Sequence, residues 1–390
     1  MYYTEWVNSG PLQSLWNTME DFNDQQNQAL KAVKTWLSDT AGPQIFRLFG
    51  FAGTGKTTLA KYLASEVNGI VLFGAYTGKA ASVLRSKGCF GASTIHSMIY
   101  HAEQDEETGI VSYRINRSSP VSTADLVIID EVSMVGDELA LDLLSYGKKI
   151  LVLGDPYQLP PVASEGYFIN KEPDIMLTEI HRQAKENPII RLSMDVRSGK
   201  RLSAGTYGQS QVLSLANVDK DHLADYIVNT DQVLCGTNNS RVAFNNEIRE
   251  LAGLSTPTAI YPVVGDKLIC LKNDKDKQLF NGSMWHVAEI KRKNDKTIYL
   301  KVASDDNREH TVGVEVLNQF FVGNEKDIDW KQRRKYDEFT YGWAITCHKA
   351  QGSQWNHVTV IDESYVFRDS RLKWLYTAIT RASEKVTIIV

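Results

Sequence analysis

Gly50-Phe51-Ala52-Gly53-Thr54-Gly55-Lys56-Thr57 fits, position for position, the phosphate-binding pattern G-x-x-x-x-G-K-[ST]. An apolar run, residues 44–48, precedes it and a helix-patterned stretch, residues 57–67, follows, so the strand, loop and helix that the pattern needs are all present. Glycines let the backbone curl until successive N–H groups point at phosphate oxygens, and the helix N-terminus adds partial positive charge. Gly53, Thr54, Gly55 and Thr58 complete the cradle, Lys56 is placed for the β- and γ-phosphates, and the Thr57 hydroxyl is placed for Mg²⁺. A nucleoside triphosphate is the expected ligand.

Working outward, further short apolar segments at 70–75, 126–129 and 150–153 alternate with helical or polar stretches. That alternation predicts a parallel sheet covered on both faces. Between 98 and 122 the pattern lapses into a charged, turn-rich stretch followed by alternating residues 110–115, which predicts a small β-hairpin projecting from the first domain. A second α/β unit is expected after about residue 180, with helix-like 187–197 and 240–251 and strand-like 232–235. Closely spaced β-patterned runs interrupt it at 258–330, with Asn281-Gly282 as a turn signal, which predicts an inserted β-barrel. The α/β layer resumes near Tyr341 and ends on a strand at 385–390. The expected domains are therefore 1–180 and 181–390.

The 390 residues suffice for two or three domains, and 43% hydrophobic with 23% charged residues is ordinary for globular protein. No stretch reaches membrane-spanning length, and the N-terminus lacks a basic region leading into an apolar one. The expected location is cytoplasmic, in a bacterial or phage-infected cell, with no membrane partner. Cys89, Cys235, Cys270 and Cys347 have no C-x-x-C spacing, so they indicate reduced structural thiols rather than a zinc site. With a net charge of −4, any attraction for nucleic acid must be local.

Leu126-Val127-Ile128-Ile129-Asp130-Glu131 is an apolar strand ending in two carboxylates. Beside a phosphate loop, Asp130 is placed for the Mg²⁺ hydration shell and Glu131 for the attacking water. Gly154-Asp155-Pro156-Tyr157-Gln158-Leu159-Pro160-Pro161 follows the next strand; Asp155 and Gln158 could meet the γ-phosphate or its water, and the prolines stiffen the segment.

Asp130-Glu131-Val132-Ser133-Met134, the Gly154–Pro161 string and Leu177-Thr178-Glu179-Ile180-His181-Arg182-Gln183 resemble motifs II, III and IV of superfamily 1 helicases, specifically the 1B branch of RecD-like and Dda-like DNA helicases. Ser93-Thr94-Ile95-His96-Ser97 resembles motif Ib, residues 341–353 motif V and residues 375–382 motif VI, in the family's order from about Phe22 to the end. The resemblance implies two RecA-like lobes, ATP with Mg²⁺ as fuel, and Arg182 and Arg381 facing the γ-phosphate, with Gly352 at the same cleft. It also implies an adenine-contacting glutamine, for which Gln26 fits best and Gln25 is adjacent.

For single-stranded DNA the resemblance points to Thr77 and Lys79 (motif Ia, where Tyr76 stands in place of the usual proline), Thr94 and His96, Asn238 and Asn245, and Thr346, His348 and Ser353. Tyr113 in the hairpin is the expected wedge at a duplex fork, and the basic run 331–335 could supply local positive potential. The expected activity is an ATP-dependent DNA helicase moving 5′-to-3′ on single strands. Two alternatives stay open: the motor subunit of a nuclease or recombination complex, with replication or recombination proteins as partners, and an ATP-gated single-strand binder that never steps.

Overall fold

The computed structural model describes residues 22–390 other than 105–110, 161–165, 180–185, 219, 256–260, 275 and 324. The phosphate loop joins strand β1 (Ile45–Gly50) to the Lys56–Glu66 helix. β1 belongs to a six-stranded sheet ordered β3 (Ser93–Thr94), β2 (Val71–Ala75), β6 (Leu126–Asp130), β7 (Ile150–Gly154), β1, β8 (Ile175–Leu177), with every pair parallel.

The alternation of strand side chains explains why this sheet needs helices on both faces. Leu126 and Ile128 turn to one face, with Leu48 and Leu151, and are covered by Leu30 and Val33 of the Asp24–Ser38 helix and by Leu59 and Leu63 of the Lys56–Glu66 helix. Val127 and Ile129 turn to the other, against Ile95, Ile99, Leu139 and Leu143. From β1 the chain leaves toward β2, whereas from β7 it leaves toward β8, on the opposite side. This divergence opens a crevice at the carboxyl ends of β1 and β7, the place where open parallel sheets bind ligands.

A second six-stranded sheet is ordered β17 (Ala344–Thr346), β11 (Gln232–Cys235), β18 (Trp355–Ile361), β19 (Ala382–Ile389), β10 (Ser210–Leu213), β9 (Gly205–Tyr207), parallel except for the antiparallel edge strand β9. Ile189, Leu192 and Val196 of the Pro188–Arg197 helix and Trp374, Leu375 and Ala378 of the Arg371–Ile379 helix pack on it. Leu159, from the loop after β7, is buried in the same cluster and so ties the first sheet to the second.

β4 (Tyr100–Gln104) and β5 (Val111–Ile115) form an antiparallel pair with Tyr100 opposite Ile115. A five-stranded antiparallel sheet is ordered β15 (Thr311–Leu317), β14 (Thr297–Ser304), β13 (Met284–Lys293), β12 (Lys267–Cys270), β16 (Phe339–Tyr341). The sequence reading ended this region at 330; β16 extends it, because Phe339 and Tyr341 are apolar partners for the core built on Trp285 and Val316. All four cysteines are free and buried, and burial pushes the Cys235 thiol up to about 12. Among the described residues no helix is long and apolar enough to cross a membrane.

A candidate nucleotide site between two sheets

Gly55 takes a left-handed backbone, φ +80°, and a side chain there would press on the Gln26 amide, so glycine is required where the loop turns into its helix. Lys56 folds back on the loop, donating to the Gly50 carbonyl at 2.7 Å and the Phe51 carbonyl at 3.0 Å. These partners hold the ammonium against its own loop. Thr57, in the first turn of the helix, donates its hydroxyl proton to Asp130 Oδ2 at 3.0 Å. Burial and the adjacent Glu131 carboxylate push Asp130 upward, and the Lys56 charge opposes them. Glu131 sits at φ +54°, a left-handed conformation uncommon for a non-glycine residue, as the chain turns off β6.

The loop is one wall of a cavity of about 540 Å³. Gly53, Gly55, Lys56, Thr57, Thr58, Asp130, Glu131 and Gln158 line it from the first sheet, and Gly352, Ser353 and Arg381 from the second. Arg381 is 5% exposed; its guanidinium donates to the Thr377 carbonyl at 3.1 Å and lies 3.9 Å from Glu131 Oε1. Gln158 is buried, and its side-chain carbonyl oxygen has no partner among the described residues. Two carboxylates, an ammonium, an amide and a guanidinium thus converge on one hollow, which suits a polyanion whose charge redistributes during reaction. Arg182 lies outside the described residues.

Two of the residues expected at the nucleotide turn their side chains away from the cavity. Gln26 is 4% exposed and does not line the cavity. Its Nε2 donates to the Thr54 carbonyl at 3.0 Å, and its Oε1 accepts from the Asn23 N–H in a helix capping box, so the amide buttresses the loop from behind. Thr54 is also turned inward, its hydroxyl donating to the Phe51 carbonyl at 2.9 Å. Gln25 is occupied as well: it donates to the Met176 carbonyl and Thr178 Oγ1 and accepts from the N–H groups of Thr178 and Glu179.

The residues expected at DNA divide in the same way. Thr77 and Thr94 are N-caps, accepting from the N–H groups of Ala80 and Ser97. His96 is exposed, between the rings of Tyr76 and Tyr100 at 6.0 and 5.8 Å, and Tyr113, 69% exposed, continues that row at 6.5 Å from Tyr100. Asn238 is exposed at a helix start. Lys79 is paired with Asp306, in the turn between β14 and β15, at 2.5 Å. His348 lies 5.5 Å from the Phe367 ring, and burial lowers its pKa, leaving a neutral imidazole at neutral pH. Thr346 is buried at the end of β17.

Asn245 and Ser353 are both buried. Asn245 is 2% exposed and clamps the edge strand β17, donating to the Ala344 carbonyl at 2.8 Å and accepting its N–H at 3.1 Å. Ser353 is buried on the nucleotide cavity instead, and its carbonyl accepts from Arg381. In the basic run, Arg333 is paired with Glu338 at 2.7 Å, and Lys331 and Arg334 lie over the Trp330 ring.

Sequence reasoning missed Tyr376, Thr377 and Gln351 as partners of the loop after β7. The only signal was their place within strings already singled out for Arg381 and Gly352.

A family profile described as AAA domain matches residues 21–217, and one described as UvrD-like helicase C-terminal domain matches 341–389. The chain is 30% identical over 375 residues to the ATP-dependent RecD2 DNA helicase of Deinococcus radiodurans, covering 90% of this chain and 47% of that protein. It is 24% identical over 413 residues to the ATP-dependent DNA helicase Pif1 of Campylobacter jejuni, covering 87% of each. In fold it is similar to Bacteroides Pif1 crystallised with single-stranded DNA, at a TM-score of 0.55 and 18% identity over 94% of this chain and 92% of that one. The Pif1 helicase of Candida albicans gives 0.53 and 20%, over 94% of each chain. The chain spans about half the length of the RecD2 relative.

Proposed function

The chain belongs to the superfamily 1B helicases, RecD-like and Pif1-like, and from that premise we propose that it is an ATP-driven motor that moves 5′-to-3′ along single-stranded DNA and opens duplex ahead of it. The observation that carries this reading is the cavity itself, with Lys56, Asp130 and Glu131 on one wall and Arg381 on the other. A site walled by two sheets couples chemistry to their separation.

In the proposed mechanism the loop N–H groups and Lys56 hold the β- and γ-phosphates of ATP. Thr57 Oγ1 and Asp130 Oδ2, hard oxygens 3.0 Å apart, fit Mg²⁺, which takes one or two protein oxygens and fills its shell with phosphate and water. When bound, that ion neutralises charge on the phosphates. Glu131 orients the attacking water, Gln158 offers its free amide oxygen to it, and Arg381 faces the charge that spreads over the γ-phosphoryl oxygens. Arg182 is assigned the same duty from its motif alone. The lobes are read as RecA-like units meeting near residue 180, with the β4–β5 hairpin and the five-stranded sheet as insertions and Tyr113 as the fork wedge. Thr77, Thr94, His96, Asn238, Thr346 and His348 are the proposed strand contacts, reinforced by their places in the family's motifs. A binder that never steps has no use for an arginine opposed to a glutamate across its nucleotide pocket.

The test is strand displacement on 5′-tailed and 3′-tailed duplexes with and without ATP. ATP-dependent opening of the 5′-tailed substrate alone is expected. Opening without ATP, or only from the 3′ tail, refutes the motor or its direction.

A further inference from the structure

A loop that touches a γ-phosphate must be held closely, and the loop after β7, Gly154-Asp155-Pro156-Tyr157-Gln158-Leu159, is rich in turn residues. Support comes from the other lobe. The Tyr376 hydroxyl, on the Arg371–Ile379 helix, accepts a hydrogen bond from the Ala52 N–H of the phosphate loop at 2.9 Å and donates one to Asp155 Oδ2 at 2.6 Å. Asp155 Oδ1 accepts the Tyr157 N–H at 3.0 Å, and the Asp155 carbonyl accepts the Gln158 N–H at 3.0 Å. One residue on, Thr377 Oγ1 accepts the Leu159 N–H at 3.0 Å, and Gln351 Nε2 donates to the Leu159 carbonyl at 2.7 Å. Gln158 is thus bracketed by two residues, Asp155 and Leu159, that are both fixed by side chains of the second lobe.

The helix that supplies Tyr376 and Thr377 also supplies the Thr377 carbonyl that holds Arg381. Tyr376 is 1% and Asp155 2% exposed, so water does not substitute for either partner. In such a dry site each missing hydrogen bond leaves a donor or acceptor unsatisfied. The hydroxyl therefore reports phosphate-loop position to the Gln158 loop and to the arginine at once.

We propose that Tyr376 is a positioning residue for hydrolysis, its hydroxyl joining the phosphate loop to Asp155 across the cleft and so setting Gln158 and Arg381 on the γ-phosphate. The proposal rests on the reading of the cavity as an ATPase site. It separates binding from turnover. Tyr376 bonds one loop amide, Ala52, while Lys56 is held by the Gly50 and Phe51 carbonyls, so the loss is expected in the geometry of attack more than in nucleotide binding.

The experiment compares DNA-stimulated ATP hydrolysis by the wild type, Tyr376→Phe, Asp155→Asn and the double variant, each first checked by thermal melting. For Tyr376→Phe the expected result is a fall in kcat of about tenfold or more with KM for ATP within about threefold, the signature of an interaction that matters in the transition state. Because the two residues act through one hydrogen bond, the double variant is expected to lose no more than the worse single. Should Tyr376→Phe fail to fold, Asp155→Asn alone carries the same expectation. A wild-type kcat in Tyr376→Phe, a loss confined to KM, or multiplied losses in the double variant overturns the relay while leaving the ATPase standing. A wild type with no DNA-stimulated turnover overturns the ATPase reading, and the relay falls with it.

Discussion

At the scale of single residues, the site separates groups that face the cavity from groups that only support it. Among the described residues Lys56 donates to carbonyls of its own loop, so Lys56→Ala is expected to leave the fold intact. DNA-stimulated phosphate release should nevertheless fall by about a hundredfold or more, since removing a positioned charge from a phosphoryl-transfer site costs several kcal/mol. Turnover at the wild-type rate in that variant would remove the loop from the chemistry. Asn245 makes the opposite case. Its amide satisfies both the N–H and the carbonyl of Ala344 in the dry interior, and Asn245→Ala should destabilise by about 2–3 kcal/mol in denaturant unfolding. Affinity for single-stranded DNA, measured well below the unfolding midpoint, should stay unchanged; a weakened grip without lost stability would restore Asn245 to the strand-binding set.

At the scale of elements, the joints between the parallel sheets and the antiparallel additions are built from buried charge and exposed aromatic rings. Arg249, near the end of the Asn238–Leu251 helix, and Asp266, just ahead of β12, pair at 2.8 Å with neither more than 1% exposed. Arg249 also donates to the Tyr261 carbonyl and lies 4.0 Å from the centre of the Tyr341 ring. Asp266→Ala leaves that guanidinium uncompensated, and a loss of about 3–5 kcal/mol is expected on equilibrium unfolding. A loss below about 1 kcal/mol would mean that the pair is not holding the five-stranded sheet to its helix. The β4–β5 hairpin ends the aromatic row Tyr76, His96, Tyr100, Tyr113. Tyr113→Ala, a change at its exposed end, should reduce duplex opening several-fold while ATP turnover on single-stranded DNA stays near the wild-type rate, because base stacking contributes about 1–3 kcal/mol. Equal losses in both assays would make the row a structural strut rather than a fork contact.

At the scale of the whole molecule, the two sheets touch where the family's motifs meet. A side chain at Gly352 would run into Ala80 and Thr77 of the first lobe, and Leu159 of the first lobe is buried in the core of the second. Chelating Mg²⁺ with EDTA should therefore stop turnover and displacement together and be reversed by adding the ion back; persistent hydrolysis in EDTA would exclude the Thr57 and Asp130 assignment. Much of this was legible in the chain itself. The phosphate loop, the Asp130-Glu131 strand end and strands β1, β2, β6, β7, β11 and β19 follow from local rules, namely glycine turns, apolar runs and periodicity, which depend only on neighbours in sequence. Side-chain orientation across hundreds of residues does not. Gln26 fits best to read a base, with Gln25 beside it, and only packing shows that each amide already holds a backbone. Likewise nothing local announces that Tyr376 bonds Ala52, more than 300 residues away, because hydrogen bonds between lobes are chosen by burial and distance once the sheets have closed on each other.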